Sequence, residues 1–123
     1  MNNTAEKGRR ELASGCDFYE NEALNEACTK FQIAARLGNP EAQVNLANML
    51  ASGEGVKKDF KKAVYWYKKA VKLGMPEAAY NLAIAYRQQQ NITWFKFWLT
   101  RASSMGDVDA KEVLMDVSNQ KQV

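Results

Sequence analysis

The chain has 123 residues, 46% of them hydrophobic and 25% charged, which is typical of one globular domain that can bury a core without disulfides or metals. No apolar run approaches the roughly 18 residues that span a membrane, and the charged first residues lack the apolar segment of a secretory signal. We therefore expect a cytoplasmic protein with no membrane contact.

The net charge of +3 is unevenly distributed. Residues 1–30 contain six acidic and four basic side chains, whereas residues 54–72 contain two acidic side chains and seven lysines. Opposite charges of this kind attract in solution. Pairing of two copies of the chain is therefore one hypothesis.

Apolar residues recur at helical spacing along the chain. The pattern predicts helices over residues 4–18, 22–36, 39–51, 59–73, 76–86, 93–105 and 107–117. Short polar side chains that accept hydrogen bonds from first-turn N–H groups are expected to begin five of these helices, namely Thr4, Asn39, Asp59, Thr93 and Asp107. Pro40 and Pro76 suit the first helical position, where no backbone donor is needed.

One pattern returns along the chain at a nearly constant interval. A small residue is followed four positions later by leucine, as in Gly8 with Leu12, Ala42 with Leu46, Ala78 with Leu82 and Ala110 with Leu114. Gly38, Gly74 and Gly106 open three of these segments, so the interval is 36 residues (74 minus 38) and then 32 (106 minus 74). Such a period is typical of helix-turn-helix units that bury their apolar faces by stacking.

We therefore predict an all-α fold, an α/α superhelical solenoid of about three helix-turn-helix repeats with a C-terminal capping helix. The repeats cover residues 4–37, 38–73 and 74–105, and the capping helix covers 107–117. These elements form one domain over residues 1–118. A polar, flexible tail is expected at 119–123.

Residues 38–74 carry a known repeat motif at fixed offsets. Its members here are Ala42, Leu46, the Gly53-x-Gly55-Val56 turn, Asp59, Ala63, Trp66, Tyr67 and Ala70. The segment resembles the Sel-one-like repeat (SLR) family, an α/α solenoid related to tetratricopeptide repeats. The third repeat departs from the motif, because glutamines and an asparagine replace its glycine turn. The resemblance implies protein binding by a scaffold or adaptor, and short bacterial members include proteins that neutralise co-encoded toxins.

No group of residues predicts catalysis, a cofactor or a metal ion. The sequence contains no histidine, which removes the commonest general base and metal ligand. Cys16 and Cys28 lack metal-ligand spacing, and we interpret them as reduced, mostly buried thiols, with a disulfide as the alternative. Glu54 and Asp59 flank the glycine turn, but a solvated loop residue and a helix cap account for them.

Candidate partner-binding residues lie on the first helix of each hairpin, which lines the concave side of a helical solenoid. Those outside the apolar core pattern are Val44, Asn45, Asn48, Tyr80, Asn81, Ile84, Arg87 and Gln88. Tyrosine and arginine are enriched at the hot spots of protein interfaces. Asn45 and Asn81 occupy equivalent repeat positions, so hydrogen bonding to neighbouring backbone is an equal alternative for their amides.

The sixth helix carries more aromatic residues than its core position requires. Phe95, Trp98 and Leu99 suffice for the repeat core, which leaves Trp94 and Phe97 as a possible second patch. Either these two rings cover the closing helix, which we prefer, or they form an apolar patch for a partner or a second copy.

Our leading hypothesis is a non-catalytic adaptor or scaffold that binds an unidentified protein partner in a concave groove. An immunity protein that neutralises a bacterial toxin is a narrower alternative. A third hypothesis is nucleic-acid binding through Lys61, Lys68 and Lys72, where lysines and aromatic residues alternate. The simpler interpretation, which we favour, is that these lysines keep an outer helix solvated while Trp66 and Tyr67 pack between repeats.

Overall fold

The structure, a computed structural model, describes residues 3–120. Over that range the chain forms seven α-helices and no strand: α1 (Asn3–Glu20), α2 (Leu24–Arg36), α3 (Pro40–Ser52), α4 (Phe60–Lys72), α5 (Pro76–Gln88), α6 (Ile92–Ser104) and α7 (Val108–Gln120). The predicted all-α class is confirmed. Helix α7 extends past its predicted end at residue 117, and residues 121–123 of the predicted tail lie outside the described residues.

Three of the predicted helix caps are confirmed by hydrogen bonds. Asn39 accepts a bond from the Ala42 N–H at 2.9 Å, ahead of Pro40 in the first turn. Asp59 accepts one from the Lys62 N–H at 3.1 Å. The carboxylate of Asp107 does the same for the Ala110 N–H at 2.8 Å. Each bond satisfies a first-turn donor that has no partner within its helix.

Two predicted caps are wrong. Thr4 lies inside α1, which already includes Asn3. Thr93 lies inside α6, whose cap is Asn91, the acceptor of a 3.1 Å bond from the Trp94 N–H. Asparagine ranks above threonine as an N-cap residue.

Six helices, α1 to α6, are followed by a residue in the left-handed conformation. Four of these residues are glycines, Gly38 (φ 90°), Gly53 (φ 79°), Gly74 (φ 89°) and Gly106 (φ 105°). The other two are Glu22 (φ 60°) and Gln90 (φ 61°), which have a side chain where glycine is favoured. A three-residue turn around each of these joins α1 to α2 and α5 to α6, so the third repeat forms its hairpin without the glycine turn.

The residues group into two compact units, one up to Ala70 and one from Val71 onward. In the first unit α1 packs against α2 and α2 packs against α3. The buried core residues of α2, α3 and α4 in this unit include Ala27, Phe31, Ala34, Ala42, Leu46, Met49, Ala63, Tyr67 and Ala70. They follow the predicted repeat pattern, whereas Leu12 on α1 is only partly buried.

In the second unit α5 packs against α6 and α6 packs against α7. Its buried core residues include Ala78, Leu82, Phe95, Trp98, Leu99, Ala102 and Ala110. Leu114 of the last small-then-leucine pair is partly buried. Among the four leucines of these pairs, the two that are only partly buried therefore lie on the first and last described helices.

Candidate functional site

The first unit contains a concave pocket of about 300 Å³ that opens to solvent. Three helices and one turn contribute its walls. The lining residues are Cys16, Tyr19 and Glu20 from α1, Phe31 from α2, Asn45, Asn48 and Met49 from α3, and Glu54 from the turn after α3. This turn, residues 53–59, joins α3 to α4 and is called the glycine turn below.

The apolar part of the pocket depends on a glycine in α1. Phe31 and Met49 are each 2% exposed and provide its buried surface. A Cβ atom at Gly15 would lie 2.7 Å from the Phe31 ring, closer than non-bonded carbon atoms approach. The absence of a side chain at Gly15 therefore lets the Phe31 ring pack directly on the α1 backbone.

The glycine turn carries Glu54 to the pocket. Gly53 (φ 79°) and Gly55 (φ 68°) on either side of Glu54 adopt the left-handed conformation. A Cβ atom at Gly55 would lie 2.4 Å from the carbonyl oxygen of Leu24, the first residue of α2. Glycine is therefore required at position 55 for two reasons, the left-handed φ angle and the close approach of two backbone segments.

Two hydroxyl groups hold the Glu54 carboxylate. The Tyr19 hydroxyl donates to both carboxylate oxygens at 3.3 Å, and the Ser52 hydroxyl donates to Oε1 at 3.3 Å. The negative charge of Glu54, with smaller contributions from burial and the hydrogen bond, raises the pKa of Tyr19 above its ordinary value. Glu54 is exposed in the turn after α3, as predicted for a solvated loop residue, and its carboxylate additionally contributes to the pocket.

The pocket is electronegative. Glu20 and Glu54 contribute carboxylates, and the lining includes no lysine or arginine. Burial raises the pKa of the Cys16 thiol, and the charges of Glu20, Glu41 and Asp17 raise it further. The acidic side chains that raise the pKa of this thiol therefore come from both α1 and α3.

Of the residues predicted to bind a partner on α3, two line this pocket and one does not. Asn45 and Asn48 are partly exposed in the pocket wall. Asn48 also accepts a hydrogen bond from the hydroxyl of Tyr67, which positions the carboxamide against α4. Val44 is only 2% exposed, so its prediction as a partner-binding residue is wrong. Its helix buries more than one face, which the repeat pattern alone does not indicate.

The predicted residues on α5 lie in the second unit. Tyr80, Asn81 and Ile84 are partly exposed, and Arg87 and Gln88 are exposed near the end of the helix. The Arg87 guanidinium lies over the Phe95 ring of α6, 5.3 Å from its centroid, an arrangement that cation–π attraction stabilises. Arg87 is therefore already engaged by its own hairpin.

The predicted second patch is a set of stacked aromatic rings. Trp94 and Phe97 are 44% and 50% exposed, and their rings meet edge to face at 5.2 Å. Trp94 also stacks on Tyr86 at 6.0 Å, and Phe97 meets Trp98 edge to face at 5.2 Å. Both rings remain at the surface, so the structure favours the apolar patch over the preferred covering role.

The lysines of α4 are exposed, as both interpretations of this helix require. The Lys69 ammonium lies 5.3 Å from the Tyr65 ring centroid and 5.8 Å from that of Trp66. Tyr67 is buried. These aromatic residues are thus engaged by their own helix or by the core.

Sequence reasoning did not identify most of the pocket. It interpreted Cys16 only as a mostly buried thiol and did not consider Tyr19 as a site residue. Tyr19 is 41% exposed. Glu20 and Phe31 were likewise not predicted as site residues. The one available signal was a tyrosine continuing the apolar face of α1 beside acidic residues.

Within residues 3–120 no group of three or more acidic, cysteine or histidine side chains is arranged to bind a metal ion. Over the same range no helix combines the length and apolar character needed to cross a membrane. Both cysteines are free thiols, Cys28 buried and Cys16 partly buried.

Paired helices of matched length, joined by glycine or short turns, define the class of α-helical repeat proteins. Residues 40–75, 76–93 and 96–107 match the sequence model of the Sel1 repeat, together more than half of the chain. The chain belongs to the Sel1 repeat family, whose members mediate protein–protein interactions.

Two solved structures of this family resemble the chain. A Sel1 repeat protein from Oxalobacter formigenes is 29% identical with a TM-score of 0.71, and the match covers 93% of each chain. A protective antigen of uropathogenic Escherichia coli strains with an SLR fold is 27% identical with a TM-score of 0.77, over 89% of this chain and 25% of that one. The predicted SLR solenoid class is confirmed by these likenesses.

A curated relative is chitin synthase regulatory factor 3 of Schizosaccharomyces pombe, which is 36% identical over 64% of this chain. The chain spans only 9% of that protein's length. The similarity therefore concerns a small part of a much larger protein.

Proposed function

We propose that the chain is a non-catalytic interaction module that binds a segment of a partner protein in the pocket of its first unit. The observation that supports this most directly is the pocket itself, a concave site with a buried apolar surface and polar groups at its edge. Binding sites commonly combine these two features. Asn45 and Asn48, predicted to bind a partner, both contribute to its wall.

The non-catalytic part of the proposal rests on the side chains available. Histidine is missing from the sequence, and the raised pKa values of Cys16 and Cys28 keep both thiols protonated near neutral pH. A protonated thiol is a poor nucleophile. The family's role in protein–protein interaction points the same way.

The alternatives receive less support. Among the aromatic residues near the α4 lysines, Tyr67 is buried and Tyr65 is 52% exposed, which leaves a limited surface for base stacking on this helix. Neutralisation of a toxin is a narrower form of the same proposal, and no feature of the pocket selects it. The α5 residues and the patch of Trp94 and Phe97 stay predictions as further partner contacts.

The test is to capture partners with the tagged chain, identify them by mass spectrometry and measure their affinity by calorimetry. Three paired substitutions then compare surfaces: Asn45→Ala with Glu54→Gln in the pocket, Tyr80→Ala with Arg87→Ala on α5, and Lys68→Glu with Lys72→Glu on α4. We expect the pocket pair to weaken binding by about tenfold or more, as hot-spot residues do, and the α4 pair to have little effect. Loss of binding in the α4 pair alone, with a steep salt dependence, would contradict the proposal.

A further inference from the structure

The volume of the first-unit pocket limits what it can hold. At about 300 Å³ the pocket lies at the small end of the roughly 300–1,000 Å³ range of small-molecule sites. It is open to solvent, so a single long side chain projecting from a peptide fits it better than a cofactor does. The identity of that side chain follows from the chemistry of the lining.

The charge of the lining selects a cation. Glu20 and Glu54 are its charged members, and Asp17 and Glu41 add negative potential at the Cys16 thiol. The ion pair of Lys30 with Glu11, at 3.1 Å, joins α1 to α2 and involves no residue of the lining. A cationic group entering the pocket would therefore meet two carboxylates and no basic side chain among the lining residues.

The apolar lining residues favour a long side chain with a planar terminal group. Phe31 and Met49 form the buried apolar floor of the pocket, and the Tyr19 ring, 41% exposed, offers an accessible face for a methylene stem or a planar cation. Glu54 is already held by Tyr19 and Ser52, so little side-chain freedom would be lost on binding. Guanidinium groups donate two parallel hydrogen bonds to a carboxylate and stack on aromatic rings, which ammonium groups do less well.

We propose that this pocket binds a basic side chain of a partner's peptide segment, with arginine preferred over lysine. The proposal rests on the proposed function, because it specifies the partner chemistry of that same pocket. The alternative occupant is a lysine from α4 of a second copy, since α4 presents exposed lysines.

The experiment uses three blocked tripeptides with alanine on both sides of arginine, lysine or citrulline. Citrulline has nearly the shape of arginine but no charge. Binding to the full chain is followed by the side-chain amide NMR signals of Asn45 and Asn48 and by the rate at which iodoacetamide alkylates Cys16. We expect the arginine peptide to shift both amides and slow alkylation, the lysine peptide to do so more weakly, and the citrulline peptide to have no effect.

The pocket variant combines Glu20→Gln with Glu54→Gln. A matched control, Glu77→Gln with Glu112→Gln, removes the same charge from exposed positions on α5 and α7. We expect the pocket variant to weaken binding of the arginine peptide by about tenfold and the control to change it by less than about twofold. Circular dichroism of both variants verifies that the helices remain folded.

Equal effects of arginine and citrulline, or equal losses in the pocket variant and its control, would overturn the proposal. A dimer in light scattering that the pocket variant alone dissociates would overturn it in favour of a second copy. Failure of this inference and failure of the proposed function are distinguishable. If captured partners depend on Asn45 but not on a basic residue, the proposed function holds and this inference fails. If the pocket binds arginine specifically but no protein partner is captured, the proposed function fails and arginine binding by the pocket holds.

Discussion

Two turns that join helices of a hairpin show what the glycine motif does. Between α3 and α4, the glycine turn spans residues 53–59 and places glycine at both left-handed positions. Between α5 and α6, only residues 89–91 separate the helices, and the left-handed residue is Gln90. Both hairpins form, so glycine is not needed merely to reverse the chain.

The difference lies in what surrounds each turn. The Gly55 backbone packs against the backbone of Leu24 and holds Glu54 at the pocket, so the glycine turn is part of the site. The short turn has no residue equivalent to Glu54, and its hairpin instead exposes the rings of Trp94 and Phe97. The glycine motif therefore has a packing role and a site-forming role in the first unit.

The largest expected effect is that of Gly55→Ala. The new Cβ would lie 2.4 Å from the Leu24 carbonyl oxygen, and a φ of 68° is unfavourable for alanine. We expect the free energy of unfolding to fall by about 3 kcal/mol, measured by urea denaturation. The control is Gly38→Ala, where nothing lies within 4 Å of the new Cβ and only the conformational cost of about 1 kcal/mol remains. Equal losses in the two variants would show that the close approach has no energetic role.

The next largest effect should come from Gly15→Ala in α1. Its Cβ would meet the buried Phe31 ring at 2.7 Å, and we expect a loss of about 2 kcal/mol. The group that this Cβ meets is a side chain, which, unlike the Leu24 backbone near Gly55, can be replaced by a smaller one. The double variant with Phe31→Leu should therefore be less destabilised than the sum of the two single variants. Strict additivity in denaturation experiments would mean that the two residues are not in contact.

Gln90→Gly should stabilise the short turn. Glycine relieves the left-handed strain at φ 61° but adds freedom to the unfolded chain, so the net gain is about 0.5–1 kcal/mol. Glu22→Gly, at the equivalent φ of 60°, should give a similar gain. Thermal unfolding measures both, and Gly106→Ala, which reverses the change at the end of α6, should lower the stability. A loss of stability in both glycine variants would contradict our account of these turns.

The smallest effect is electrostatic. Because Glu54 raises the pKa of Tyr19, the folded chain keeps this proton at a pH where the unfolded chain releases it. The resulting stabilisation is complete below the unfolded pKa near 10 and is lost as the pH rises through the folded value. Glu54→Gln should lower the pKa of Tyr19 in an ultraviolet titration, with Tyr19→Phe identifying its signal among the five tyrosines. An unchanged titration curve would show that Glu54 does not affect the pKa of Tyr19.

Most of the fold could be predicted from the sequence, because small and large apolar residues at matched intervals determine which helix faces are buried. Ala42 with Leu46 and Ala78 with Leu82 are buried as the pattern predicts. Caps were less certain, because Asn91 and Thr93 lie two positions apart and either side chain can accept the first-turn bond. Boundaries of helices were predicted to within a few residues.

The site was harder to predict, because a repeat pattern describes what each repeat shares. The pocket depends on features that only the first unit has, namely Gly15 beneath Phe31 and Glu54 beside Tyr19. These pairs are distant in sequence, and no periodicity connects them. Asn45 and Asn48 could be predicted because they lie on the first helix of a hairpin, and Val44 could not be excluded because its burial depends on packing.

The most direct test of partner binding in the first-unit pocket is hydrogen–deuterium exchange of the chain with and without its captured partner. We predict that the partner slows exchange at the end of α1, along α3 and in the glycine turn, and that the α4 lysine face is unchanged. Slowed exchange confined to the exposed face of α4, with the pocket segments unchanged, would contradict the account.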